Sequence, residues 1–184
     1  MKLFHYSYAP IEATHICDQR SEPHHKPRGL WFAEGASWRK ESESWRSAEA
    51  FAHRYQVVTA PEANIARLDT PENAAAFGDQ FGYVYDGEVI KIRWADVARE
   101  FDGVHLGFFY SHVGFRHPAR KQIEWSFAFD VIGGCVWHPR AFDLIDCRTR
   151  ATVPSTANVR PVPDDVSPFR LTRMQTMLVP MNRS

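Results

Sequence analysis

Apolar and polar residues alternate over Leu3-Phe4-His5-Tyr6-Ser7-Tyr8, which predicts a strand with Leu3, His5 and Ser7 on one face and Phe4, Tyr6 and Tyr8 on the other. Residues 9–28 carry Pro10, Pro23 and Pro27 and read as a loop. The loop leads into His24-His25-Lys26-Pro27-Arg28-Gly29-Leu30-Trp31-Phe32-Ala33-Glu34-Gly35-Ala36-Ser37-Trp38, where a Pro/Gly turn enters a short apolar strand and leaves into a helix capped by Ser37. That helix is expected to run through Trp38, Trp45, Ala48 and Ala52 to about Tyr55, with Glu41, Glu43 and Glu49 on its wet side. Residues 56–59 and 65–68 suit short strands. Thr70 followed by Pro71 starts a helix that buries Ala74, Phe77 and Phe81, and Trp94, Val97, Ala98 and Phe101 mark a second, which Asp102-Gly103 ends.

Residues 104–110 are apolar enough for a buried strand, and a polar loop at 112–121 follows. Residues 122–130 alternate again, with Gln122, Glu124 and Asp130 on one face. Gly133-Gly134 is then expected to turn the chain, Cys135-Val136-Trp137 to resume it, and residues 142–145 to form a last strand. Many short strands with a few short helices define an α+β fold.

At 184 residues with 44% hydrophobic side chains, the chain can bury one real core. The expected division is a domain over 1–147 and an extension over 148–184, which carries several prolines and six arginines against two aspartates. Met174, Met177, Leu178 and Met181 offer that extension an apolar helical face, which suggests a partner or self contact with a regulatory role. Lys plus Arg equals Asp plus Glu at 22 each, so no global field draws the protein to nucleic acid or an acidic membrane. No apolar run reaches membrane-spanning length and residues 1–5 lack a signal-peptide apolar region, so the expectation is a cytoplasmic protein without membrane contact. Cys17, Cys135 and Cys147 are odd in number and far apart, which fits reduced thiols.

The candidate chemistry centres on Gly29, Trp31 and Trp38. Glycine lets backbone approach a ligand, and two indoles on a strand and the following helix can sandwich a planar heterocycle. Packing of the same rings in the core is the competing reading. His15, Cys17, His24 and His25 raise the alternative of a zinc-stabilised interaction protein, although their spacing matches no regular ligand pattern and no second Cys pair follows. No metal site is assigned.

Three strands in this order, one with His5, one with Gly29 and Trp31, one with Glu124, resemble the ADP-ribosyltransferase superfamily of the poly(ADP-ribose) polymerases and diphtheria toxin. Gly29-Leu30-Trp31-Phe32-Ala33 is similar to the polymerases' Gly-Ile-Tyr-Phe-Ala. Glu124-Trp125 with Phe127, Phe129 and Asp130 is similar to their Glu-Tyr strand, and Gln122-Ile123-Glu124 resembles the Gln/Glu-x-Glu motif of toxin-like mono-ADP-ribosyltransferases.

The resemblance implies a split antiparallel sheet core and an enzyme that transfers ADP-ribose from NAD to a protein or nucleic-acid acceptor, releasing nicotinamide. His5, with Ser7 on its face, would hydrogen-bond the ribose, the Tyr6 backbone would hold the nicotinamide amide, and Trp31 and Trp38 beyond Gly29 would flank the ring. Glu124 would be catalytic, its carboxylate stabilising the oxocarbenium-like transition state, with Gln122 orienting the acceptor. This chain departs from the family in having Tyr6 where Gly is common and Trp31 for Tyr. Trp38 follows Trp31 by seven residues rather than about three helical turns, so Trp45 competes for its role. A domain this small offers no site for a growing polymer, which points to mono-ADP-ribosylation in a toxin-like setting. The alternative is a non-catalytic module on the same fold that binds a nucleotide or partner.

Overall fold

A computed structural model describes residues 1–42, 51–85, 87, 89–108, 125 and 129–155. Seven strands form one sheet: β1 (Leu3–Ser7), β2 (Leu30–Glu34), β3 (His53–Thr59), β4 (Ile65–Leu68), β7 (Gly103–Leu106), β8 (Gly133–Val136) and β9 (Phe142–Asp146), in the order β4-β7-β8-β2-β1-β3-β9. All neighbours are antiparallel except β4 and β7. A separate hairpin joins β5 (Gly82–Tyr85) to β6 (Val89–Ile92), and the described residues also form three α-helices, α1 (Ser37–Ser42), α2 (Pro71–Phe81) and α3 (Trp94–Glu100), and a 3-10 turn over Pro139–Ala141. The mixed fold with a mostly antiparallel sheet is the α+β class expected.

Residues paired across a sheet share a face, so the registers divide the core in two. One face carries Ala66, Leu68, Val104, Leu106 and Cys135, and α2 and α3 cover it with Phe77, Phe81, Trp94 and Val97. The other carries Phe32, Tyr55, Val57, Val136 and Leu144, closed by Ala141 and Phe142. Helix α2 starts as its sequence predicts, with the Thr70 hydroxyl accepting from the Asn73 N–H at 3.2 Å and Pro71 at the first helical position.

Four expectations need correction. The helix from Ser37 does not reach Tyr55, because β3 already begins at His53; Tyr55 and Val57 are buried while Arg54 and Val58 are exposed, and this period-two burial together with pairing to β1 sets the strand. Gly133 and Gly134 are strand, not turn. A Cβ on Gly133 would sit 2.2 Å from the Phe32 carbonyl oxygen, and one on Gly134 would sit 2.2 Å from that of Val104, so β8 fits between β2 and β7 only without side chains there. The strand expected over 104–110 stops at Leu106, where the Gly107 N–H turns to the Leu68 carbonyl. Of the strand expected over 122–130, the described residues Trp125, Phe129 and Asp130 lie outside any strand; Trp125 is in a helical turn, fully buried against Phe77, Trp94 and Phe129.

The parallel β4–β7 pair is clamped at one end by Asp102, 6% exposed. Its carboxylate accepts from Arg140 at 2.9 and 3.2 Å and from the Asn64 N–H at 3.2 Å, and its backbone pairs with Asn64 and Trp137. Asp102→Ala strips the Asn64 N–H and Arg140 of their acceptor. Urea unfolding should show a loss of about 1–3 kcal/mol with an unchanged slope, the Arg140 share being reduced by that side chain's exposure.

Candidate functional site

The sheet is least complete at its middle. The β1–β2 ladder has two residue pairs, Leu3↔Glu34 and Phe4↔Ala33, whereas β1 pairs with β3 over five and β2 with β8 over four. Past Phe4 and Ala33 a side chain spans the seam: His5 Nδ1 lies 2.6 Å from the Trp31 carbonyl oxygen. A carbonyl only accepts, so Nδ1 carries the proton and donates, and Nε2 keeps its lone pair. Burial lowers the His5 pKa below its ordinary value, and the carbonyl bond offsets part of that shift. The ring is therefore neutral at pH 7 and can accept a hydrogen bond from a hydroxyl.

Trp31, half-buried on β2, rests against Phe129 with ring centroids 5.0 Å apart, and Lys26 Nζ lies 4.8 Å from its ring centroid. The register puts this indole on the sheet face of Ala33, Phe4 and Tyr6, opposite to the face of His5, so His5 meets Trp31 through its carbonyl. Gly29 has φ +149°, and a Cβ there would lie 2.4 Å from the Val136 carbonyl oxygen. The close approach this glycine permits is to strand β8; any ligand contact would be additional.

Trp38 projects from the first turn of α1, where the Ser37 hydroxyl donates back to the Glu34 carbonyl at 2.7 Å. Its ring stacks on Tyr6 at 6.2 Å and 21°, and Phe51 meets both edge-on. The Tyr6 side chain thus turns inward and covers an indole. Ser7 is half-buried, its hydroxyl donating to the Ala9 carbonyl at 2.7 Å. The seam joins His5 to the Trp31 carbonyl, whereas Tyr6 turns to Trp38 and Phe51, Ser7 bonds to the Ala9 carbonyl, and Gly29 precedes β2 and faces β8. Glu124, Gln122 and Trp45 lie outside the described residues.

The His/Cys loop does not form a metal set. His24 and His25 stack on each other at 4.2 Å, and among the described residues no three His, Cys, Asp or Glu side chains gather to hold an ion. All three cysteines are free thiols. No described helix is long and apolar enough to cross a membrane.

One buried polar group escaped the sequence reading. His105, on β7, has its side chain 8% exposed, and neither ring nitrogen has a hydrogen-bond partner. Nε2 lies 3.5 Å from the Glu34 carboxylate, and the ring stacks on Phe32 at 5.8 Å across Gly134, which has no side chain to intervene. Burial, then Arg67, lower its pKa, while Glu34 and Asp69 oppose them. A histidine in the apolar run Val104-His105-Leu106 was its only signal.

No family model matches the chain, and neither does any curated protein or solved structure.

His5, His24 and His105 all have lowered pKa values, His24 down to about 4. Below pH 6.5 the unfolded chain binds protons that the folded one refuses, so stability is full above pH 6.5 and falls as pH drops toward the folded values. The slope is at most about 1.4 kcal/mol per pH unit per histidine, and less for partly exposed His24. Denaturant melts from pH 7.5 to 5 should show this fall, with a shallower slope in His105→Gln. Trp31→Ala should cost about 2–4 kcal/mol, less than a fully buried Trp, by emptying the space against Phe129. Trp31→Phe should recover more than half of that loss in the same melts.

Proposed function

We propose that this protein is an NAD-dependent mono-ADP-ribosyltransferase, with a protein or nucleic-acid acceptor in a toxin-like, cytoplasmic setting. The observation that carries the reading is the seam itself: a neutral histidine on the first strand, hydrogen-bonded across a two-pair ladder to the carbonyl of the Trp31 strand. That short ladder between longer ones supports reading the sheet as the split antiparallel sheet of ADP-ribosyltransferases. Strand edges that part leave backbone groups to hold a carboxamide, and a neutral imidazole can accept from a ribose hydroxyl.

Nicotinamide leaves from C1′ of the ribose, and positive charge builds on the sugar as the bond breaks. The group suited to that charge is the Glu124 carboxylate, hydrogen-bonded to the 2′-hydroxyl, with Gln122 two residues earlier orienting the acceptor. A hydroxyl, amine or water then attacks C1′ as the C1′–nicotinamide bond is lost, and its proton passes to a carboxylate such as Glu124 or to solvent water. The extension over 148–184 is a candidate surface for a regulatory partner.

The non-catalytic nucleotide- or partner-binding reading draws on Tyr6. Its buried ring lies against Trp38, so the chain's own side chain occupies one of the two plates that would flank nicotinamide.

Glu124→Gln separates the two readings, because binding needs the pocket and transfer needs the charge. For the transferase, NAD affinity by calorimetry should stay within a few-fold while nicotinamide release falls by roughly 10²–10³. Water serves as acceptor, so the true target need not be known. Unchanged release in the mutant would remove Glu124 from the mechanism; binding without release in either protein would favour the non-catalytic reading.

A further inference from the structure

The two faces of the β5–β6 hairpin differ sharply. Its opposed pairs place Gly82, Val84, Ile90 and Ile92 on one face and Tyr83, Tyr85, Val89 and Lys91 on the other. The first face is the packed one, since Ile90 and Ile92 are buried in one core with Phe81 and Trp94. The second points outward, with Tyr83 47% and Tyr85 54% exposed. One exposed apolar side chain is ordinary, but two aromatic rings side by side on one outward face form a patch. The patch stands on a fixed support: the Ile92 backbone exchanges two hydrogen bonds with His24 at 2.9 and 3.1 Å, and the Arg93 N–H donates to the Phe81 carbonyl at 3.0 Å.

Residues two apart on a strand lie about 7 Å apart, a separation that lets each ring take one base of an extended strand. Lys91 is opposite Tyr83 in the ladder, and its Nζ lies 4.0 Å from the Tyr85 ring centroid. Tyr85 keeps its exposure with the ammonium in place. More positive charge lies nearby. Lys91 and Arg20 both act on His24, the residue bonded to the end of β6, and Arg20 Nη1 reaches His24 Nε2 at 2.5 Å. Just past β6, Asp96 serves two guanidiniums, Arg93 at 3.3 Å and Arg99 at 2.8 Å, so one carboxylate offsets two cations. The carboxylates of Asp86 and Glu88 follow Tyr85 in sequence, at the hairpin connection and away from this end.

We infer that the outward face of this hairpin binds single-stranded nucleic acid, with Tyr83 and Tyr85 stacking successive bases and Lys91 meeting a phosphate. Stacking needs an open base face, which a single strand offers and a duplex buries, and every base has one, so the surface should tolerate any sequence. Two tyrosines would also suit a protein partner, but the cations gathered at one end of the face favour a polyanion. The phosphates then run past Lys91 and not past the acidic connection. With no net charge on the chain, affinity comes from the stacks and this local contact, and its salt dependence should be shallow. The inference goes beyond the NAD reading and stands without it, since the contact requires no NAD.

The test is fluorescence anisotropy on the full chain with labelled oligothymidine and oligouridine of about ten nucleotides and a DNA duplex of equal length. The variants are Tyr83→Ala, Tyr85→Ala, the corresponding phenylalanine changes and Lys91→Gln. Each alanine should weaken single-strand binding about tenfold or more, as expected for loss of one base stack, whereas each phenylalanine keeps a ring and should retain most of the affinity. Lys91→Gln should weaken binding several-fold and reduce the slope of log affinity against log salt by about 0.7. The duplex should bind at least about tenfold more weakly than the better single strand, and the ranking of oligothymidine and oligouridine assigns the surface to DNA or RNA. Both tyrosines are exposed, so their variants should melt with wild type, and a melt of Lys91→Gln verifies its fold. A wild type that binds neither oligonucleotide would overturn the inference, as would a duplex bound as tightly as the single strands or affinity within twofold of wild type in both alanine variants. Self-association lost in the alanine variants, with no oligonucleotide bound, would overturn it in favour of a protein contact.

Discussion

A single side-chain hydrogen bond, from the His5 imidazole to the Trp31 carbonyl, holds the sheet together where its backbone pairing lapses. On one side of the seam β1 and β3 are zipped over five pairs, and on the other β2 is zipped to β8 over four, so the two edges are fixed by their outer neighbours and cannot simply close. The imidazole spans a distance that backbone groups do not. Its neutrality is part of that geometry, since a bond through Nδ1 and a buried setting leave Nε2 as a ready acceptor. Everything assigned to the seam, the indole on one strand and the tyrosine on the other, is positioned by how far this bond lets the strands part.

Much of the architecture was legible wherever one short segment decided its own fate. The alternation around His5, the run over 65–68, the Thr70-Pro71 start and the Trp94 helix are found as the local pattern implies, because period and caps act within a few residues. The errors arose where tertiary neighbours overrule local preference. Gly133-Gly134 carries every mark of a turn, yet two flanking strands press on it so closely that only glycine fits, and the pair becomes the middle of the sheet. The α1 helix gives way to β3 because Tyr55 and Val57 are buried on one side and paired to β1 on the other. The β5–β6 hairpin did carry a local signal, Asp86-Gly87 between apolar runs, and Gly87 has the positive φ of 74° that such a connection requires.

The candidate site was legible in part for the same reason. That His5 and the Trp31 strand are neighbours follows from the motif order, but the contact through a carbonyl depends on a register that no residue type announces. Tyr6 illustrates the limit: its place next to His5 is in the sequence, whereas its inward ring and stack on Trp38 depend on α1 folding back over β1. Lys26 reads as an ordinary loop cation in the sequence, whereas bonds from its loop to Ile92, the Trp94 indole and the Gln19 amide set the backbone from which its ammonium lies over the Trp31 ring. His105 was hidden in an apolar run, where a polar residue is easily read as incidental.

The strand order also bears on how the chain comes to be folded. β4 and β7, with the helices between them, can associate as one unit, and β2, β1, β3 and β9 as another. Within the sheet the two are joined by β8, four residues from position 133 onward that pair with β7 on one edge and β2 on the other. During synthesis the facing edges of β7 and β2 lack the strand between them until β8 arrives, and insertion of that strand is a non-local step of the kind that slows folding and exposes a chain to mispairing.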